Sequence, residues 1–246
     1  MAAPLIMVVE DESALAKGLA FNLEQEGYEP VVFDNGPAAL EYFDQHPGDV
    51  ALVLLDLMLP GMSGYEICRN LRSRDGRVPI LVLSARTLSE DRSLAFDCGG
   101  DQYLTKPFHL PELLSRVRNL LSRSERMGLA PGPLATGVMR FGEVEVDFDR
   151  FEVRTAGAVH SLTTMEMQLL RYFIQHEGTV LSRSRLLRDV WDEKADLATR
   201  SIDNFVMRLR RVIEPDPANP VHLLSVRGTG YRFLLTPNGF SSVDSV

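Results

Sequence analysis

At 246 residues the chain is long enough for two domains of ordinary size, each able to bury its own core. A hydrophobic fraction of 45% with 24% charged residues is that of a soluble globular protein, and no apolar run approaches the ~20 residues that cross a bilayer, which excludes a helical membrane protein. The net charge of −8 is unevenly placed: residues 1–123 hold 11 Lys and Arg against 18 acids, and residues 124–246 hold 15 against 16. Within residues 200–235 there are six Arg and three acids, so the acidic total does not exclude a nucleic-acid partner, which responds to local field. Met1-Ala2-Ala3-Pro4 has neither a basic stretch nor a cleavage site and reads as unprocessed. Cys68 and Cys98 fit no metal or redox spacing, as expected of small buried residues in a reducing cytoplasm.

In chain order, the first half alternates short apolar runs with amphipathic stretches. The runs are Leu5–Glu10, Tyr28–Phe33, Val50–Asp56, Pro79–Ser84 and Gln102–Lys106, three of them nearly continuous in Ile, Leu and Val like strands buried on both faces. Between them, Leu15, Leu19 and Leu23 share a helix face that stops at Gly27, and Pro37 suits a first helical turn. Ser89 with Glu90 and Asp91 reads as a cap followed by acids at a positive dipole end. Pro111 opens a helix striped by Leu113, Leu114, Val117, Leu120 and Leu121. Five βα units predict a five-stranded, parallel, doubly wound α/β domain over residues 1–123.

Residues 124–138, with three Gly, two Pro and no period, read as a linker. From Met139 to Leu162 apolar and polar residues alternate, with turns at Asp149-Arg150 and Ala156-Gly157, as in a small antiparallel sheet. Helices are predicted over Thr163–His176, the first with capping-box spacing from Thr163 to Glu166, then Arg183–Trp191 and Thr199–Ile213. A hairpin joins His222–Val226 to Tyr231–Leu235. This α+β domain spans residues 139–237, leaving 238–246 as a tail.

Chemistry in open α/β sheets gathers at the carboxyl ends of the strands. Those ends carry Glu10, Asp11 and Glu12, then Asp56, Ser84 and Lys106. Clustered carboxylates need a neutralising cation, and an oxygen-rich, wet site suits Mg²⁺. The series Glu10-Asp11-Glu12, Asp56-Leu-Met-Leu-Pro60-Gly-Met-Ser-Gly64, Ser84-Ala85 and Lys106-Pro107-Phe108 resembles the flavodoxin-like receiver domain of two-component response regulators. That resemblance implies a phospho-acceptor at Asp56, and Mg²⁺ held by Glu10, Asp11, Asp56 and the backbone carbonyl of Met58. It further implies a Lys106 ammonium aimed at the phosphate through a cis Lys106-Pro107 bond, a Ser84 hydroxyl on the phosphoryl group, and Tyr103 as a switch residue.

On the helix Thr199–Ile213, about 100° per residue sets Arg200, Asn204, Met207, Arg208 and Arg211 opposite the apolar stripe of Ile202, Val206, Leu209 and Ile213. Arg and Asn reach base edges and phosphates, whereas Met207 offers only apolar contact. The segments Leu162–Glu166, Arg200–Arg211 and Val226-Arg-Gly-Thr-Gly-Tyr231-Arg-Phe233 resemble the winged-helix effector domain of the OmpR/PhoB family. The resemblance implies DNA contacts from Arg200, Ser201, Asn204, Arg208, Arg211 and, at a hairpin tip built on Gly228 and Gly230, Arg227. It also implies a polymerase contact near Trp191 and the loop Asp192–Ala198. A phosphorylated homodimer is implied through Arg92 with Glu112 and Asp97 with Arg123, while a third family pair meets Gln102 opposite Arg116, one acid short.

The expected protein is a cytoplasmic, phosphorylation-regulated transcription factor, not an enzyme beyond phosphoryl transfer to its own Asp56 and hydrolysis there. Its expected partners are a histidine kinase, double-stranded DNA with paired half-sites, RNA polymerase and a second copy of itself, with no membrane. Two rival readings are a regulator whose DNA binding ignores phosphate and a signalling module whose second domain docks protein.

Overall fold

The computed structural model describes residues 3–86, 88–127, 137–155, 157–191 and 199–236, without the side chains of residues 89, 90, 92, 93, 123–127 and 199–201. The chain divides into two compact units, Met1–Met127 and Gly128–Val246.

In the first unit the strands are β1 (Leu5–Val9), β2 (Glu29–Phe33), β3 (Val50–Asp56), β4 (Ile80–Ser84) and β5 (Gln102–Thr105). All pair in parallel, in the order β2-β1-β3-β4-β5. Ile6–Val9, Leu52–Leu55 and Ile80–Leu83 are fully buried, because helices cover both faces of the three inner strands. The helices are α1 (Ser13–Gln25), α2 (Gly36–Gln45), α3 (Gly64–Arg74), α4 (Ser89–Asp97) and α5 (Leu110–Met127). Strand order reverses across β1 and β3, so their outgoing loops diverge and leave a crevice at the carboxyl ends.

Local chemistry explains the helix starts. Asn35 caps α2 by accepting from the Ala38 N–H at 3.0 Å, with Pro37 in the first turn. Ser63 and Glu66 close a reciprocal capping box on α3. The structure starts α4 at Ser89, which puts Leu88, with no side-chain acceptor, in the N-cap place; the side chains of Ser89 and Glu90 lie outside the described residues. Asp91 instead binds the Arg86 guanidinium at 2.7 Å. The α5 stripe is buried as predicted, and the helix continues past Arg123 to Met127.

The second unit begins with an antiparallel sheet of β6 (Val138–Phe141), β7 (Val144–Asp147), β8 (Glu152–Thr155) and β9 (Ala158–Ser161). Then come α6 (Thr164–Gln175), β10 (Val180–Ser182), α7 (Arg183–Leu186), α8 (Thr199–Ile213), β11 (Leu223–Val226) and β12 (Gly230–Phe233). Beyond α7 the backbone widens into a π turn over Leu187–Trp191. The Thr163–Glu166 capping box is present on α6. Phe148, Met165, Leu169, Phe173, Phe205 and Phe233 build the core. The hairpin expected from sequence is in fact a three-stranded sheet, β10-β12-β11. Three residues are too few for β10 to display an alternating pattern.

Candidate functional site: an acidic phospho-acceptor pocket and a DNA-binding unit

Glu10, at the end of β1, and Asp56, at the end of β3, face each other across the crevice and are almost fully buried. Asp11 beside them is exposed, and one carboxylate oxygen from each of the three lies within 4.8 Å of the others. Lys106, delivered by the loop after β5, donates from Nζ to Glu10 Oε2 at 2.6 Å and to Asp56 Oδ2 at 2.7 Å. The Met58 N–H holds Asp56 Oδ1 at 2.9 Å. The Lys106-Pro107 bond is cis. At Gly64, which opens α3, a Cβ would sit 2.2 Å from the Asp56 carbonyl oxygen, so only glycine lets α3 start this close to the acceptor strand.

Burial pushes the Glu10 carboxyl up, against the hydrogen bond and charge of Lys106 that pull it down. Burial alone would lower Lys106, but hydrogen bonds to Asp56 and Glu10 outweigh it and hold the ammonium above its ordinary range. Three carboxylates against one ammonium leave the pocket short of positive charge, and oxygen donors with one exposed member fit a hard divalent cation that keeps part of its water.

Ser84 is buried at the end of β4, and its Oγ accepts from the Arg86 N–H at 3.1 Å. The Tyr103 hydroxyl donates to the Arg86 carbonyl at 2.7 Å. Arg86, which no sequence motif marks, thus gathers Ser84, Tyr103 and Asp91 around one loop. Its only sequence signal was its place two residues after Ser84.

Of the residues read as a dimer face, Asp97 is exposed, and the side chains of Arg92 and Arg123 lie outside the described residues. Arg116 binds Glu112 one turn back at 3.0 Å and reaches Gln102 Oε1 at 3.4 Å. Gln102 is buried, and its Nε2 has no hydrogen-bond partner among the described residues.

On α8, Met207 and Arg211 are exposed and Asn204 is half-buried. Arg208 turns inward: its Nε lies 2.7 Å from the buried Glu166 carboxylate, and its side chain is 16% exposed. The helical angle put Arg208 at the margin of the polar face, and a buried acid decided which way its long side chain went. Arg227 is exposed in the β11–β12 turn, where Gly228 takes φ +74°. Gly230 serves a different need than the turn, since a Cβ there would lie 2.0 Å from the Leu181 carbonyl. Trp191 is buried edge-on against Phe205 at 5.1 Å and is a core residue. Arg200 and Ser201 side chains, and the loop Asp192–Ala198, lie outside the described residues.

A parallel receiver-like sheet with an acidic crevice, followed by a winged helix, defines a response regulator with a DNA-binding output. Residues 6–118 match the response regulator receiver domain, and residues 157–233 match the C-terminal domain of transcriptional regulatory proteins. The chain belongs to the OmpR/PhoB-type response regulators. It is 43% identical over 227 residues to the sensory transduction protein RegX3 of Mycobacterium tuberculosis, covering 92% of this chain and 97% of that one. It is 40% identical to the DNA-binding response regulator MtrA of Mycolicibacterium smegmatis, covering 92% and 95%. A solved RitR mutant shares the fold, with a TM-score of 0.72 at 23% identity over 94% of this chain and 99% of that one. Among the described residues, no helix is long and apolar enough to cross a membrane.

Proposed function

We propose that Asp56 accepts a phosphoryl group from the phosphohistidine of a histidine kinase. An Asp56 carboxylate oxygen attacks phosphorus, the phosphorus–nitrogen bond breaks, and an acyl phosphate forms. Water later cleaves it, restoring the carboxylate and releasing inorganic phosphate. The observation that carries this reading is the Asp56 carboxylate at the switch point of the sheet, 2.7 Å from the Lys106 ammonium.

Glu10, Asp11, Asp56 and the Met58 carbonyl would hold Mg²⁺, which when bound offsets the negative charge crowded at the transferring group. The residues of the chain do the rest. Lys106 pairs with phosphate oxygens, the Met58 N–H orients the carboxylate, and Ser84 donates its hydroxyl to the phosphoryl group. Drawing Ser84 inward tugs the loop that carries Arg86, and with it the carbonyl that holds Tyr103.

The second unit binds double-stranded DNA in the cytoplasm through α8 and the β11–β12 turn, with Asn204, Arg211 and Arg227 as contacts and Arg200 and Ser201 as further ones. Arg208 contributes by holding α8 on Glu166 and reaches DNA only by leaving that pair. Phosphorylation favours a homodimer through the face that includes Arg92, Asp97, Glu112, Arg116 and Arg123, on half-sites ~10 bp apart. RNA polymerase is the downstream partner. The division proposed is a receiver domain over 1–123, a linker over 124–138, into whose first residues α5 continues as far as Met127, and an effector domain over 139–237.

Acetyl phosphate with Mg²⁺ tests the proposal when intact mass, oligomer mass and DNA retention are read together. One added phosphoryl group, absent in Asp56→Asn, with dimerisation and tighter DNA binding, is the expected result. Equal DNA binding by wild type and Asp56→Asn under phosphorylating conditions would establish phosphate-independent binding instead. No retention on any duplex at low salt would leave a protein-docking module.

A further inference from the structure

The two parts of the second unit that face DNA under the reading above, α8 and the β11–β12 turn, are joined by one polar knot. Asp203 on α8 accepts at a single oxygen, Oδ1, from the Tyr231 hydroxyl at 2.5 Å and from Arg183 Nε at 2.8 Å. Arg183, which opens α7, also donates from Nη2 to the Tyr231 oxygen at 3.2 Å, and its guanidinium lies 4.9 Å from the centre of the tyrosine ring. Arg210, also on α8, donates to the Leu223 carbonyl at 2.7 and 2.9 Å and to Ser225 Oγ at 2.9 Å, binding β11 as well.

Tyr231 is buried, and it follows Gly230, which is pressed against the Leu181 carbonyl of β10. That contact stops β12 from sliding, so the phenol points at one place on α8. The Asp203 side chain is 45% exposed and Arg183 32%, so solvent screens their charges and the ion pair adds little to global stability. What two hydrogen bonds on one oxygen do supply is direction.

We propose that Asp203, Tyr231 and Arg183 are positioning residues that set the angle between α8 and the β11–β12 turn. With that angle held, the Arg211 face of α8 and Arg227 engage neighbouring grooves of one duplex together. The second contact is then gained without a fresh ordering cost. This rests on the DNA-binding reading of the unit.

The test is a double-mutant cycle in the full chain, using a duplex selected by the protein from random-sequence DNA, with Kd and thermal midpoint read at one salt concentration. Arg227→Ala is expected to weaken binding about tenfold and Tyr231→Phe about fivefold. The double variant should bind within about twofold of Arg227→Ala alone, because a turn that makes no contact gains nothing from being aimed. Asp203→Ala should behave like Tyr231→Phe, with Asp203→Glu recovering part of the loss, which covers the case in which Tyr231→Phe fails to fold. Losses that multiply in the double variant, or a Tyr231→Phe that binds like wild type, overturn the proposal. If Arg227→Ala binds normally while Arg211→Ala does not, the turn makes no contact, and both the proposal and that part of the DNA reading fail while α8 keeps its role.

Discussion

Lys106 Nζ lies 2.6 Å from Glu10 Oε2 and 2.7 Å from Asp56 Oδ2, so one ammonium from the fifth strand's loop bridges the acids that end the first and third. Lys106 sits above its ordinary pKa, so its stabilising contribution is whole at neutral pH and fades only as pH rises through that raised value. Lys106→Met would leave two facing carboxylates and drive Glu10, already raised by burial, further up. We expect a loss of about 2–4 kcal/mol near pH 7, shrinking toward pH 4–5 as Glu10 takes up a proton. Urea unfolding at the two pH values measures this; an equal loss at both would contradict it.

Gly64→Ala puts a methyl 2.2 Å from the Asp56 carbonyl oxygen and 2.5 Å from the Leu57 Cα, both backbone atoms that cannot swing away. The expected loss is about 1–3 kcal/mol, together with slower phosphoryl uptake as the acceptor strand shifts. A wild-type unfolding midpoint would refute the close-packing argument.

Two arginines one helical turn apart should separate stability from binding. Arg208→Ala deprives the buried Glu166 of its cation and is expected to lower stability by about 2–3 kcal/mol. Arg211→Ala, on an exposed side chain, should leave the midpoint unchanged while weakening DNA binding and reducing the salt slope by about one. Thermal unfolding and binding isotherms at several salt concentrations tell the two apart.

Tyr231 offers an optical check on the second unit. Burial, then its hydrogen bond to Asp203, pushes its phenol up to about 12. The folded state therefore keeps this proton, and the associated stability is whole below about pH 10 and lost between about pH 10 and 12. Ultraviolet titration of phenolate should show a late step that Tyr231→Phe removes. Ionisation of every tyrosine near pH 10 in the folded protein would be incompatible with the burial described.

The sequence by itself determined the five βα units, the winged-helix pattern and the set of acids at the strand ends. These are legible because alternation, apolar runs and caps such as Thr163–Glu166 are local, and a strand's end is known once the strand is. What only the tertiary structure decided lies between residues far apart in the chain: Lys106 on Glu10, Arg208 on Glu166 rather than outward, Tyr231 on Asp203, and Trp191 in the core. A helical angle fixes where a Cβ points, but a long arginine or lysine side chain follows the nearest buried acid, and no local pattern records where that acid will be. The strand β10 has no local signature for a related reason, since its three residues become a strand only when β12 lies beside them.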